Sequence, residues 1–475
     1  MSDVPDDWEL ICGLEVHCEL ATKTKLFCGC RNHFGDDANT NVCPVCLGLP
    51  GSLPVLNGGA VEYAMKLGRA LNCTVNSAEF ARKNYFYPDM PRDYQVTQFD
   101  RPTNTVGYLD LPAGKRIGIV RAHIEEDTGK TSHAGGDGRI HGAEYSLVDY
   151  NRAGVPLVEI VSEPDIRSAD EAKAYVDELR KIVLALGVSD AKMEEGSMRV
   201  DANVSVRPRG SSELRTRCEI KNINSLSSLE RAIRYEANRH IGLYDAGERP
   251  HQETRHWDEE NQRTRAGRSK ENSDDYRYFP EPDLLPLEPS TADIVRIDAS
   301  LPLLPAARRE RLARVAAVSP ARAALIVDRG QDDFAFDAIR AGAEPARVLV
   351  HIEQNLKDGF GAMAVEAFVR LIAMETQNQL SATQTKQVLA ELIAEGGSPE
   401  QVAKARGFEA MESSDLAAIV DKIIAENPDD WQRFVEADDK AANKIYTFFA
   451  GLVMKATQGK ADGKAIRDIF MQRRA

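Results

Sequence analysis

An α+β fold is predicted for this chain, a sheet-rich first part followed by an all-helical remainder, on three observations. Up to about Leu287, short β-like runs are broken by Gly, Pro, Asn and Asp: RIGIV, YSLVDY, VPLVEIV, RVDANVSV and CEIKNI. Two separate helical patterns interrupt them without strict alternation, which points to an antiparallel or mixed sheet rather than to βαβ units. Beyond about residue 292 the apolar period becomes helical and stays so.

Taken in order, GLEVHCEL (13–20) reads as a strand with two unlike faces. Leu14, Val16, Cys18 and Leu20 point one way, and Glu15, His17 and Glu19 point the other. The first helical pattern, SADEAKAYVDELRKIVLAL (168–186), opens on a capping box formed by Ser168 and Glu171. The second is SLSSLERAIRYEANRH (225–240). A proline-rich segment, DYRYFPEPDLLPLEPSTADI, closes the region and places a boundary near residue 292. Further helix starts stand at Ser319-Pro320, at Ser381 with Gln384 and at Ser398 with Gln401, the last two as capping boxes. A Gly-Gly-Ser break at 396–398 divides the helical part, so the expected domains are 1–292, 293–400 and 401–475.

The bulk composition narrows the function. With 475 residues, 43% hydrophobic and 28% charged, the chain has the core of a soluble globular protein of two to four domains. MSDVPDDWEL lacks an apolar run, and no later run is long enough to span a bilayer, so a cytoplasmic protein without a membrane partner is expected. A net charge of -14 argues against general nucleic-acid binding, DNA included. The exception is local. Residues 440–475 carry Lys440, Lys444, Lys455, Lys460, Lys464, Arg467, Arg473 and Arg474 against Asp462 and Asp468, a charge reversal suited either to an RNA backbone or to a solvated helix face.

Cys28, Cys30, Cys43 and Cys46 are clustered, whereas Cys12, Cys18, Cys73 and Cys218 stand singly. Without a secretory signal a disulfide framework is disfavoured, and CGC followed by CPVC reads as a four-thiolate zinc site of structural kind. One residue rather than the usual two to four separates the first pair.

A second, harder metal is suggested elsewhere. HIEEDTGKTSH (123–133) sets Glu125, Glu126 and Asp127 before Gly-Lys-Thr. A phosphate-binding P-loop would need glycine where Ile124 stands, so the stretch reads as an acidic turn for Mg2+, with Lys130 near the phosphates. In VDYNRAGVPLVEIVSEPD (148–165), Glu159 lies between Val158 and Ile160 and needs a partner, either an arginine such as Arg152 or Arg167 or a cation. One His with several carboxylates suits Mg2+ or Mn2+. Lys192, Arg199 and Lys221 could supply charge, and Asn203 and Asn222 hydrogen bonds, to a nucleotide held there.

These stretches, with RKNYFYPDMPRDYQVTQFD (82–100), KMEEGSMRVDANVSVR (192–207) and SDDYRYFPEPDLLPL (273–287), resemble the B-subunit family of the glutamyl/aspartyl-tRNA amidotransferases (GatB/GatE) from about Leu10 to Leu287. The resemblance implies a sheet cradle that carries the chemistry, a helical domain and a small YqeY-like tail that reaches tRNA. It also implies that ATP and Mg2+ serve to phosphorylate the side-chain carboxylate of Glu-tRNA(Gln) or Asp-tRNA(Asn). Ammonia from the amidase subunit of a GatCAB complex, which also holds a small third subunit, then displaces the phosphate. By position, His17, Glu126 and Glu159 would be the Mg2+ ligands, with Glu15 in the same pocket as a fourth catalytic group. Lys192, Arg199, Asp201 and Asn203 would surround the nucleotide. The inserted domain of the archaeal E subunit has no room here, because DLLPLEPSTADIVRIDASLPLLP (283–305) runs straight into the helices. The competing reading is a non-catalytic, zinc-containing RNA-binding assembly subunit, in which Glu159 would be spent on an arginine.

Overall fold

In the computed structural model, the described residues are 3–135, 143–269, 276–408, 413–437, 439–457, 461 and 463–474. Contacts divide them into two units, Met1–Pro305 and Ala306–Ala475. The strands of the first unit are β1 (Trp8–Glu19), β2 (Thr74–Val75), β3 (Ala81–Asn84), β4 (Tyr94–Thr97), β5 (Asn104–Asp110), β6 (Arg116–Glu126) and β7 (Lys130–Ala134). They continue with β8 (Tyr145–Asp149), β9 (Pro156–Ser162), β10 (Met198–Pro208), β11 (Cys218–Ile223), β12 (Glu253–Asp258), β13 (Arg263–Ser269) and β14 (Phe279–Pro280). Nine form one sheet in the order β13-β12-β11-β10-β1-β9-β6-β5-β2. Its pairs are antiparallel except β11 with β12, so the sheet is mixed. A smaller sheet, β14-β3-β4, and a β7-β8 hairpin complete the unit.

Alternation sorts the large sheet into two faces. Along β1, Leu10, Cys12, Leu14, Val16 and Cys18 are buried, and they share one core with Val158 and Ile160 of β9 and Val200, Ala202 and Val204 of β10. Helices α2 (Ala169–Leu186) and α3 (Leu226–Asp245) add Tyr175, Val176, Leu179, Leu229 and Ile233 to that core, and α1 (Gly58–Ala70) adds Ala60, Ala64 and Leu67. Because Leu14 is 1% exposed in the middle of this layer, Leu14→Ala is expected to cost about 2–5 kcal/mol of unfolding free energy, read as a lowered urea midpoint.

The helix signals are local and mostly hold. Ser168 Oγ accepts from Glu171 N at 3.1 Å, but the Glu171 carboxylate turns to Arg167 N (2.7 Å) and Lys115 (2.6 Å) instead of closing the box. Helix α3 outruns its expected end at 240 because its apolar face continues: Ile241 is buried and the Tyr244 ring stacks on Trp8, with centroids 5.6 Å apart.

After α4 (Thr291–Ala299), the second unit is helical throughout its described residues. It contains α5 (Pro305–Ala316), α6 (Pro320–Asp328), α7 (Asp332–Arg340), α8 (Pro345–Asn355), α9 (Val365–Thr376), α10 (Ala382–Glu395) and α11 (Pro399–Ala405). Then come α12 (Ser413–Glu426), α13 (Pro428–Glu436), α14 (Asp439–Ala456) and α15 (Gly463–Arg474). At α10 both arms of the Ser381–Gln384 box form. At α11 the Ser398 arm forms, its Oγ accepting from Gln401 N while its hydroxyl donates to Glu400. One apolar core spans Leu312 to Ala403 and another Leu416 to Phe470. Among the described residues no helix is long and apolar enough to cross a membrane.

A candidate cation site on the polar face of the sheet

The face opposite the core is polar, and register decides what meets on it. His17 of β1 lies opposite Glu159 of β9 on one side and Arg199 of β10 on the other. Glu15 lies opposite Asp201, and Glu159 is in turn opposite His123 of β6. Cross-strand partners share a face, so His17, Glu159, His123 and Glu125 converge.

His17 Nδ1 stands 3.1 Å from Glu125 Oε1, and ligand atoms of His17, Glu125 and Glu159 all lie within 4.8 Å of one another. That is the spread of a set able to close on one hard cation. Neither arginine suggested from sequence reaches Glu159: Arg152 donates to the Thr128 and Gly129 carbonyls, and Arg167 to those of Pro164 and Ile166. The neighbours of Glu159 are Arg121 at 3.9 Å and His123 at 3.8 Å, both beyond hydrogen-bond reach.

The expected ligand Glu126 is not in this group. The acidic stretch is no turn: β6 runs through Glu126, so the two glutamates fall on opposite faces. Glu126 is buried on the far side, where Oε1 accepts from Val96 N at 2.8 Å and from the Arg92 guanidinium. Glu125 takes the place beside His17. Alternation from the apolar Ala122 and Ile124 was the signal that selects His123 and Glu125 together.

A second carboxylate group adjoins the first. Glu15, Asp201 and Glu219 bring oxygens within 4.8 Å of one another, with Asp201 Oδ2 at 3.9 Å from His17 Nε2. Lys221 Nζ donates to Asp201 at 2.6 Å, and Asn203 Nδ2 to Glu15 at 2.9 Å. Arg199 Nη2 donates to Asp127 at 2.8 Å. The side-chain oxygen of Asn203 and Nδ1 of His123 are buried without a hydrogen-bond partner among the described residues, as expected where a ligand is to be met. Lys192 stands apart on the turn before β10, exposed and paired with Glu195 (2.8 Å) and Asp190 (3.8 Å). Asn222, at positive φ, donates to Trp257 O.

The charges interlock. Burial opposes a charged imidazole, but the hydrogen bond to Glu125 and the fields of Glu159, Glu125 and Asp201 outweigh it and raise His17 to about 9. Burial likewise opposes the Glu125 carboxylate, yet His17 holds it down to about 2. Burial and the neighbouring Glu125 push Glu159 up, and burial lowers His123 to about 3, leaving it neutral. Since His17 lies above its ordinary 6.5 in the fold, its contribution is fully present below that pH and is lost as pH rises through about 9. In the metal-free protein, the urea midpoint of wild type relative to His17→Gln is therefore expected to fall across that interval.

The four clustered cysteines do come together, with sulfurs mutually within 4.8 Å and Cys43 and Cys46 at 3.8 Å. That separation is the edge of a tetrahedron with bonds of about 2.3 Å to zinc. The hydrogen bond from Cys28, the Cys43 N–H and the Lys25 ammonium pull the Cys46 thiol down to about 5 against burial, which prepares a thiolate. All eight cysteines are free of disulfides. The donor set fits zinc. In the tail, Arg473 is held by Asp421 at 2.8 and 3.0 Å; Lys460 and Asp462, like Ser273 to Asp275, lie outside the described residues.

One unit thus presents carboxylates, imidazole and cations on a sheet face together with a thiol knot, and the comparisons give its class. Residues 10–295 match the model of the GatB/GatE catalytic domain, and residues 348–473 match that of the GatB domain. The aspartyl/glutamyl-tRNA(Asn/Gln) amidotransferase B subunits of Frankia casuarinae and Thermobifida fusca are each 46% identical to the chain. The first alignment covers 99% of this chain and 97% of the relative, the second 98% and 94%. A Synechococcus B subunit is 44% identical over 98% of this chain and 97% of its own length. The chain belongs to the GatB/GatE family and is an amidotransferase B subunit, an enzyme of the carbon–nitrogen ligase class.

Proposed function

We propose that this chain uses ATP and Mg2+ to phosphorylate the side-chain carboxylate of Glu-tRNA(Gln), Asp-tRNA(Asn) or both, and then passes the acyl group to ammonia. The ammonia comes from an amidase partner, within a cytoplasmic GatCAB complex that also holds a small third subunit. The observation that carries this reading is the convergence of His17, Glu125 and Glu159, with no arginine hydrogen-bonded to Glu159 and the nearest guanidinium, that of Arg121, at 3.9 Å. The same point disfavours a purely assembling role.

A carboxylate resists attack by an amine because its charge repels the nucleophile and oxide is a poor leaving group. Phosphorylation replaces that leaving group with phosphate. Bound Mg2+ neutralises charge on the transferring phosphoryl group. His17, Glu125 and Glu159 would hold that ion, with Glu125 taking the part assigned from sequence to Glu126 and Glu15 alongside. Holding it requires a neutral His17, so cation binding releases a proton and tightens as pH rises. Lys221, Arg199 and Asn203, held by Asp201, Asp127 and Glu15, would supply the positive charge and hydrogen bonds that position the phosphates of a bound nucleotide. Lys192, on its exposed turn, serves only the rim. The helical part divides near residue 400, and its basic tail helices contact the tRNA.

Reconstitution with the amidase and the small third subunit tests the reading, using ammonium chloride as nitrogen donor and each misacylated tRNA in turn. Product is expected only with both ATP and Mg2+, and hydroxylamine in place of ammonia is expected to trap the acyl phosphate as a hydroxamate. Amidation without ATP would remove the kinase step.

A further inference from the structure

The thiol knot and the cation cluster are joined by one loop. Residues 148–155 run from the end of β8 to the start of β9, the strand that carries Glu159. On one side the loop is pinned by the segment bearing the cysteines. Asn39 Nδ2 donates to Val148 O at 3.0 Å, Tyr150 N to Asn39 Oδ1 at 2.8 Å, and Asn41 N to Asn151 Oδ1 at 2.8 Å. Asn151 Nδ2 returns a bond to Asp37 O at 2.7 Å.

Lys25 closes this side. It is 1% exposed, and its ammonium donates to Asn41 O at 3.0 Å and Tyr150 O at 3.4 Å. A buried ammonium held by two carbonyls lacks a full countercharge, and four thiolates around a divalent soft metal carry a net charge of about -2 that would provide it. Gly154, at φ +85°, packs so that a Cβ would touch both Cys46 and Lys25.

On its other side the same loop grips the acidic stretch. Arg152 donates to the carbonyls of Thr128 and Gly129 at 3.0 Å each, Gly154 N to Asp127 O at 2.9 Å, and Asp127 N to Val155 O at 2.8 Å. Asp127 is two residues from Glu125. Glu159 therefore stands on the strand that leaves this loop, and Glu125 two residues before the Asp127 that the loop holds, so both carboxylates are tied to a loop that the knot clamps.

We propose that the knot is a clamp on the cation site: a soft metal held by its four cysteines fixes loop 148–155 through Lys25 and Asn151, and so tightens divalent-cation binding by His17, Glu125 and Glu159. This rests on the reading of that cluster as a cation site. Lys25 is then a positioning residue. The coupling is reciprocal, so a cation at the cluster tightens zinc in the knot by the same factor, about tenfold for a typical coupling.

The test uses the full chain, zinc-loaded or stripped by a chelator under reducing conditions. Mn2+ is the probe, its free ion counted by electron paramagnetic resonance, with hydrogen exchange read alongside. The zinc-loaded chain is expected to bind Mn2+ about tenfold more tightly than the stripped one. Stripping is expected to expose the amides of Asp127 and Gly154, which bond across the loop, while those of α2 stay protected. Lys25→Met with zinc retained is expected to bind Mn2+ like the stripped chain. If that variant does not fold, Asn151→Ala, at a half-exposed position, reads the same link.

Equal Mn2+ affinity in both zinc states, with binding still abolished by Glu125→Gln, would overturn the clamp and leave the cation site standing. Mn2+ binding that ignores Glu125→Gln would overturn the cation site and the clamp with it. Exchange confined to residues 28–46 on stripping would reduce the knot to a local brace and also overturn the proposal.

Discussion

Glu125→Gln is expected to lower the turnover of ATP-dependent amidation by about 10²–10³-fold with ammonium as nitrogen donor, while tRNA binding persists. Glutamine keeps the size and one carbonyl oxygen of the side chain but loses the charge that, on the proposed reading, would hold a divalent ion in a buried site. The fold tolerates the change because His17, now without its carboxylate partner at 3.1 Å, can shed its proton and leave the pair neutral. A separate readout marks the cause. If the cluster binds Mg2+, the ion should raise the melting temperature of wild type by mass action, and this rise should vanish in Glu125→Gln. A variant that keeps both its Mg2+ shift and its turnover would show that the cluster is not the metal site.

The two glutamates of HIEED also show how far sequence reading reaches. In GLEVHCEL the apolar half of the alternation is unbroken, so the polar face of β1 could be read directly, and Glu159 announced itself by lying between Val158 and Ile160. In HIEED the same alternation runs through His123, Ile124 and Glu125, but Asp-Thr-Gly after it imitates a turn and hides the strand's true end. One residue of shift exchanges faces, and so exchanges Glu125 for Glu126.

Other features depend on strand order, which no local pattern carries. The bond from Lys221 to Asp201 exists because β11 lies beside β10, and His123 meets Glu159 because β6 lies beside β9. The loop that ties the cysteines to the acidic stretch is likewise a product of long-range hydrogen bonds, such as Asn41 to Asn151, 110 residues apart. The helix caps, being local, were legible, and the Ser381–Gln384 box closed as read, whereas at Ser168 the second arm was lost because Glu171 had better partners in Arg167 N and Lys115.

Glu126→Gln should act through stability where Glu125→Gln acts through chemistry. Glu126 is 2% exposed and binds three groups from the segment before β5: its carboxylate takes the Arg92 guanidinium and Val96 N, and its main-chain oxygen takes Gln95 Nε2 at 2.7 Å. Glutamine can still accept from Val96 N, but it leaves the Arg92 charge buried without a counterion, and Nε of Arg92 already lacks a partner among the described residues. Removing one member of a buried pair costs about 3–5 kcal/mol, and the surviving hydrogen bond puts this variant at the lower end. The melting temperature should therefore fall while the Mg2+-dependent shift persists, the reverse of the pattern expected for Glu125→Gln. Because the penalty comes from an orphaned charge, replacing both partners relieves it: Arg92→Met with Glu126→Met should melt above Glu126→Gln alone, and a double-mutant cycle gives the coupling. If Glu126→Gln melts like wild type and loses its response to Mg2+, then Glu126 reaches the ion in solution, and the division of labour between the two faces of β6 is wrong.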